Sequence, residues 1–503
     1  MEDRTDDAEH NVEPSKVYTF DVEYDYHYGG LQVLYEKIIG DRSWFKMDRK
    51  PFEHEFPQSL PDFLYRIVWR PPYEYKDIKS ALDRGAKLKA LSMLPGSNSF
   101  VDKSLLFRNL ARHLRTTKQR LFKNIPITYS FHQDEVYFHR DIQRFCRVFL
   151  AIERKTTPDK ILPLRVEADE QTGEQIPIFY EFKKCKFPKG SIVEREGFEN
   201  PEWDELDFED TFFGEGANKW MIKAGLGYRG AAIEIFSNLE ELDTFLSLFI
   251  NGYDFCFIIN TDYNPESSGS PSLIPGMKPA GQTTKKIFNT LVIQKYLEKP
   301  QLIQGHKHTV RVYALHTQEN KVYMYEEYYT CLSGIKFDLN STNYISHITG
   351  VDLSDKLPET VETASLHCMG KANIINQVEI SDEQNREIVK MIFDSAIVNG
   401  VNLFNPDRVE GWFEMYGLDI IYDKNNKAWL IEFNDSPDIY GQGHTYFDDF
   451  ANRLVEDNFK LTIDKIFDIP ADGKRLGMKF KFGDYPDGKN LWTEVVDNSN
   501  RIL

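Results

Sequence analysis

Asp419, Glu432 and Asn434 flank the turn of "GLDIIYDKNNKAWLIEFNDSP", residues 417–437, an apolar run with one polar break. A run this dense belongs in a core, where an unpaired carboxylate is costly. Asn425-Asn426 predicts a two-residue hairpin turn, because Asn tolerates positive φ. That register pairs Tyr422 with Trp429, Ile420 with Ile431, and Asp419 with Glu432. Opposed residues share a face, and Asn434, two beyond Glu432, joins them. Opposed carboxylates repel unless one is protonated or a cation lies between them. Asp, Glu and Asn oxygens, with room for phosphate and water, are what Mg²⁺ accepts at a nucleotide site. The alternative is a ribbon end that faces water.

Cations and amides elsewhere supply the other half of such a site. "KWMIKAGLGYRG" places Lys223 on an apolar strand, where it must find a counter-charge. Gly225, Gly227 and Gly230 follow, with Arg229 adding charge, so backbone N–H groups there can approach an anion. The spacing is not a Walker A. "TLVIQKYLEKP" breaks into Gln294, Lys295, Tyr296 and Leu297, a segment whose backbone can meet a base edge while Tyr and Leu pack on the ring. In "GHKHTVRVYALHT", alternation puts Lys307, Thr309 and Arg311 on one face, the look of a phosphate or carboxylate clamp. Each segment also reads as an ordinary sheet surface. No GxSxG or HExxH occurs, and His306 and His308 are not expected to ligate metal.

"KSLLFRNLARHLRTTKQRLFK", Lys103 to Lys123, carries seven Lys/Arg and no acid. Its leucines recur near helical spacing, which predicts a basic amphipathic helix that is either a solvated face or a surface for phosphate or an acidic polypeptide. Nucleic acid would have to bind there, since the whole chain carries a net charge of −18.

These segments need a scaffold, and 503 residues exceed one ordinary core. Runs of strands with separate helices predict an α+β, mixed α/β, architecture. The expected divisions are an acidic disordered tail over 1–16, an N-terminal domain over 17–122, and a central region over 123–260 with an acidic loop at 190–217. A Pro/Gly/Ser-rich connection over 261–286, a C-terminal region over 287–470 and an irregular tail over 471–503 complete the chain. No run is long and apolar enough to span a bilayer, and residues 1–15 lack signal-peptide features. Five cysteines without a CxxC suit a reducing, cytoplasmic setting.

With these residues in order, the chain resembles the tubulin tyrosine ligase-like family of ATP-grasp ligases. The similar segments are "DKSLLFRNLARHL", "WMIKAGLGYRG", "LVIQKYLEKPQLIQGHKHTVRVYAL", "SHITG" and "EMYGLDIIYDKNNKAWLIEFNDSP", within residues 95–465. The "EFNDSPD" ending and His308 look closer to a divergent fungal-type branch. The resemblance implies an ATP-grasp fold preceded by a small N-terminal α/β domain. It implies ATP, one or two Mg²⁺ ions, and amide formation between an amino acid and a polypeptide carboxylate through an acyl phosphate. The acceptor it implies is an acidic polypeptide such as a tubulin tail. By position, Lys103 and Lys223 would contact phosphates, Gln294 to Leu297 would hold adenine, and Lys307 and Arg311 would bind phosphate or the substrate carboxylate. Asp419, Glu432 and Asn434 would hold Mg²⁺. Two departures stand out: Thr309 where the family usually has Asp, and Gly350 where it usually has Asn. They imply the alternative of a catalytically weak nucleotide-dependent binding module or RNA-associated scaffold.

Overall fold

A computed structural model describes residues 18–24, 34–35, 38, 45–46, 62–67, 75–191, 198–206, 217–227, 232–255, 284–343, 346–349, 368–370, 378–435, 437, 439, 445–469 and 489–501. The tail 1–16, Arg229, Gly230, Gly350, residues 192–197 and 207–216 of the acidic loop, residues 261–283 and residues 471–488 lie outside the described residues.

Contacts divide the chain into two units. The first joins Met1–Leu94 to Arg408–Glu414 and Asp438–Leu491. Its sheet is parallel, in the order Phe45–Lys46, Thr19–Tyr24, Phe63–Ile67, Ala90–Leu91. Aromatic rings from distant parts of the sequence fill it. Phe63 lies 6.3 Å from Phe413 and 6.1 Å from Phe459, and Tyr65 stacks on Tyr35 at 4.2 Å. Gly411 is required here, because it has φ +74° and a Cβ would stand 2.1 Å from the Lys89 carbonyl oxygen.

The second unit comprises Pro95–Asp407, Met415–Pro437 and Trp492–Leu503. It includes the helix α1 (Lys103–Thr116), which an N-terminal domain over 17–122 would have claimed. The reason is burial: Leu106, Phe107, Leu110 and Leu114 turn inward within this unit. Asp102 caps α1, accepting from Ser104 N at 2.8 Å and Leu105 N at 3.0 Å. The helix stops at Thr116 rather than continuing to Lys123. The Thr116 and Thr117 hydroxyls bond back to Arg112 O and His113 O, and Lys118 turns left-handed at φ 55°.

Next along the chain come β1 (Thr128–His132), α2 (Phe138–Glu153), β2 (Trp220–Ala224), β3 (Ile233–Phe236) and β4 (Thr290–Lys295). They form an antiparallel sheet in the order β1-β4-β2-β3. Helices cover both faces. Phe145 of α2 meets Trp220 edge-on at 5.0 Å, and Ser104 of α1 bonds Ser130 of β1 at 2.7 Å. Double cover explains why β2 and β4 are almost continuously apolar, and why a lysine on β2 is conspicuous.

A second sheet is built on β5 (His306–His316), with β6 (Lys321–Tyr325) and β7 (Tyr329–Leu332) beside it. Cys368–Gly370 extends it beyond β7, and Trp492–Asp497 extends it beyond β6. The chain end is therefore not wholly irregular, as the division at 471 supposed. β5 also pairs with the hairpin of β8 (Glu414–Tyr422) and β9 (Ala428–Asp435).

Candidate functional site

The β8–β9 hairpin sets Asp419 opposite Glu432, by a route different from the expected one. Its loop has three residues, Lys424 to Asn426, closed by Asp423. Asp423 N donates to Lys427 O at 3.0 Å, and Asp423 Oδ1 accepts from Asn425 N at 2.7 Å. Asn426 takes the left-handed conformation at φ 61°. The register beside the loop is Tyr422–Ala428, Ile421–Trp429 and Ile420–Leu430, one residue off the two-residue-turn reading. A bulge between Ile420 and Asp419 then absorbs Ile431, restoring Asp419–Glu432 and leading to Gly417–Asn434. Asn434 Nδ2 lies 3.5 Å from Asp419 Oδ2.

Each of the opposed carboxylates has its own cation. Arg311 on β5 grips Asp419 with two prongs, Nε to Oδ1 at 2.6 Å and Nη2 to Oδ2 at 3.1 Å. Gly417 makes room for it, since a Cβ there would stand 2.9 Å from Arg311 Cδ. Burial pushes the Asp419 carboxyl above its ordinary value, against the pull of Arg311. Lys103, at the first turn of α1, donates to Glu432 Oε1 at 2.8 Å and to the Gly227 carbonyl at 2.9 Å. These pairs explain how two like charges stay opposed in a sheet.

Lys223 and Lys307 differ, because both are 3% exposed and among the described residues bond only neutral acceptors. Lys223 donates to Gln294 Oε1 at 2.8 Å, and Gln294 is oriented by its own donation to Thr128 Oγ1 at 2.9 Å. Lys307 donates to His347 O at 2.9 Å and to Tyr296 OH at 3.2 Å, and lies 4.4 Å from the Tyr296 ring centre. His347 Nε2 donates to Ser341 O, so its Nδ1 accepts from Tyr296 OH. Burial lowers Lys223 to about 8, with Lys103 adding to the effect and Glu432 opposing it. Burial lowers Lys307 to about 7, with the Lys223 charge adding to it. Lys103, Lys223, Thr128 and Gln294 line one narrow cleft with Leu430 and Ile431.

Other expected residues lie elsewhere. Lys295 follows Gln294 on β4 and so points to the opposite face, pairing with buried Glu298 and with Lys219 O. Tyr296 packs with Met221 and Ile348, and Leu297 with Ile421 and Trp429. Thr309 meets Thr349, hydroxyl to hydroxyl, at 2.9 Å, leaving an uncharged patch between Lys307 and Arg311 on the strand. Several cations of the basic segment are paired with acids: Arg108 with Glu135 at 2.7 Å and Arg115 with Glu205 at 2.7 Å on the helix, and Lys123 with Glu387 at 3.1 Å beyond it.

Thr128, His347 and Thr349 carry hydrogen bonds at the site without having been expected there. The stitch that holds Lys103 in place was also missed. Thr290 Oγ1 donates to the cap residue Asp102 at 2.7 Å, and Lys103 N donates to Gly225 O at 2.9 Å. A Cβ on Gly225 would lie 2.1 Å from Thr290 Oγ1 and 2.6 Å from Asp102 Oδ2. Gly225→Ala should therefore destabilise the chain by about 1–3 kcal/mol, the usual cost of overpacking. Thermal melting checks this, and an unchanged midpoint would show that the stitch is not tight.

A model of the tubulin-tyrosine ligase family matches residues 174–471, more than half of the chain. The chain belongs to the tubulin-tyrosine ligase family. Within that family, it is similar to the probable tubulin–tyrosine ligase C12B10.04 of Schizosaccharomyces pombe, 24% identical over 49% of this chain and 57% of that one. It is similar to the protein monoglycylase TTLL8 of Mus musculus, 28% identical over 38% of this chain and 24% of that one. It also resembles the probable tubulin polyglutamylase TTLL9 of Rattus norvegicus, 26% identical over 37% of this chain and 41% of that one. The chain thus spans little more than half of the first of these relatives and less of the others. The α+β fold, with antiparallel sheets on either side of a cationic cleft, is the ATP-grasp-like arrangement expected of this family. No helix among the described residues is long and apolar enough to cross a membrane.

Proposed function

We propose that the protein is an ATP- and Mg²⁺-dependent ligase that joins an amino acid to a polypeptide carboxylate. The observation that carries this reading is the pair of buried lysines, Lys223 and Lys307, whose hydrogen-bond acceptors among the described residues are neutral. A buried ammonium that bonds no anion is costly, which suits a place kept for an anion. Lys223 feels the charge of Lys103, and Lys307 that of Lys223, a succession that suits a chain of phosphates. Asp419, Glu432 and Asn434 supply the hard oxygen donors that Mg²⁺ takes. Bound Mg-ATP would supply the phosphoryl group that activates a carboxylate, forming an acyl phosphate that an amine converts to an amide. Lys103, Lys223 and Lys307 would absorb charge on phosphate oxygens, and Arg311, whose fork grips Asp419, would bind phosphate or a substrate carboxylate by loosening that grip. Gln294 holds Lys223 in position, and Tyr296 does the same for Lys307. Similarity to a probable tubulin–tyrosine ligase and a probable tubulin polyglutamylase supports a polypeptide acceptor such as a tubulin tail, and a cytoplasmic setting agrees with that substrate.

The test is release of phosphate from ATP with a panel of amino acids and glutamate-rich peptide acceptors, read beside mass spectrometry of the acceptor. ATP binding with no acceptor modification across the panel would favour a second reading. In that reading the chain is a nucleotide-dependent binding module, supported by the uncharged Thr309–Thr349 contact on the catalytic face.

The lysines give a pH signature. Their folded-state values of about 8 and about 7 lie below the ordinary lysine value. From pH 7 upward the unfolded chain holds protons that the folded chain gives up, so stability of the nucleotide-free protein rises with pH across this window. A bound triphosphate reverses the preference and draws protons in. Calorimetric titration with Mg-ATP at pH 8 should give an enthalpy that varies with the ionisation enthalpy of the buffer. Affinity should fall as the pH rises further. A binding enthalpy independent of buffer would overturn the assignment of these lysines.

A further inference from the structure

A short hairpin on the second unit presents an apolar edge with no known role. Its strands are Arg165–Ala168 and Gln175–Ile178, antiparallel, with Val166 opposite Pro177 and Arg165 opposite Ile178. One face buries Ile176 and Ile178. Val166 on the other face is 55% exposed, and Leu162 and Leu164, in the segment leading into the strand, are 80 and 65% exposed. Three large aliphatic side chains this exposed within five residues are unusual on a free surface. Among the described residues no strand pairs with the outer edge of Arg165–Ala168.

The direction of the free backbone groups follows from the register. Pro177 has no N–H, so Val166 sits where the ladder makes no bond, and its N–H and C=O point to the open edge. Asp169 N donates inward to Glu174 O at 2.8 Å, and alternation from Asp169 gives the same phase. Edge strands are often blunted by charge, and this one carries Arg165 and Glu167, yet at Val166 it keeps a free backbone donor and acceptor beside an exposed apolar side chain.

We propose that this edge pairs with the same edge of a second copy of the chain. An antiparallel pairing centred on Val166 would let the two Val166 residues exchange both backbone hydrogen bonds. It would place Arg165 opposite Glu167 of the second copy, and Glu167 opposite its Arg165. The strand is thus self-complementary in charge, and both side chains are 44% exposed. The leucines and Val166 of the two copies would form one continuous strip on a four-stranded sheet. A foreign strand would have to match this charge order, while a second copy does so by symmetry.

Sedimentation velocity of the full-length chain over a range of concentrations tests the proposal. The parent should show a reversible monomer–dimer equilibrium. Val166→Pro should abolish it without changing the melting temperature, because the N–H it removes faces solvent. Arg165→Glu should weaken it by placing like charges opposite each other, and Arg165→Glu combined with Glu167→Arg should restore it. The charge variants decide the matter if the proline variant does not fold, since these exposed ion pairs contribute little to stability. A parent chain that stays monomeric, or a charge swap that fails to restore what Arg165→Glu removes, would overturn the proposal.

Discussion

Glu432→Gln should lower turnover by about 10²–10³-fold, the scale seen when a charge-stabilising group is lost at a reacting centre. The amide keeps the shape of the side chain and can still accept from Lys103, which now bonds Glu432 Oε1 at 2.8 Å. What disappears is the negative charge, and two further readouts follow. The concentration of Mg²⁺ needed for half-maximal activity should rise, because one hard anionic donor is gone. The pH dependence of nucleotide binding should also shift. Glu432 now favours the charged form of Lys223, so without it the lysine loses its proton at lower pH. Phosphate release against Mg²⁺, and calorimetry against pH, measure both. Parent-like turnover with an unmoved pH midpoint would remove Glu432 from the chemistry.

Arg311→Ala should be the most destabilising single change at the site. It leaves Asp419 without its two-pronged partner, and both side chains are about 15% exposed. Removing one partner of such a pair costs about 3–5 kcal/mol when burial is complete, so about 2–4 kcal/mol is expected here. Asp419 should take up a proton as a result, since burial already pushes it upward. Loss of stability should therefore be smaller at acid pH than at neutral pH. The pair Arg311→Met with Asp419→Leu should recover most of the stability and none of the activity, because the buried charges leave together. Chemical denaturation of the two variants checks this. A single variant as stable as the parent would mean that solvent reaches Asp419 freely.

Much of this arrangement was legible in the sequence, for reasons that differ by element. The runs that became β2, β4 and β5 are apolar enough to declare buried strands, and alternation correctly set Lys307, Thr309 and Arg311 on one face of β5. The same rule should have separated Gln294 from Lys295, since neighbours on a strand face opposite ways. The hairpin was read with the wrong loop and no bulge. The two slips cancel at Asp419–Glu432, so a correct pair rested on an incorrect turn. A bulge is imposed by what the strand packs against, and local sequence does not announce it. The neutral partners of Lys307 come from Tyr296 and from the distant His347, a contact that no local pattern encodes. The end of the basic helix was marked by Thr116 and Thr117, whose hydroxyls compete for helix carbonyls, but the leucine spacing masked it.

The first unit draws its core from segments about 350 residues apart, and this bears on how the protein is made. Phe63 and Tyr65 leave the ribosome well before Phe413 and Phe459, which cover them. Until then the parallel sheet has an uncovered aromatic face, and the intervening segment is free to fold first. Biogenesis should therefore depend on chaperones that shield the amino-terminal region during translation. Deleting residues 438–491 should leave that sheet without its cover.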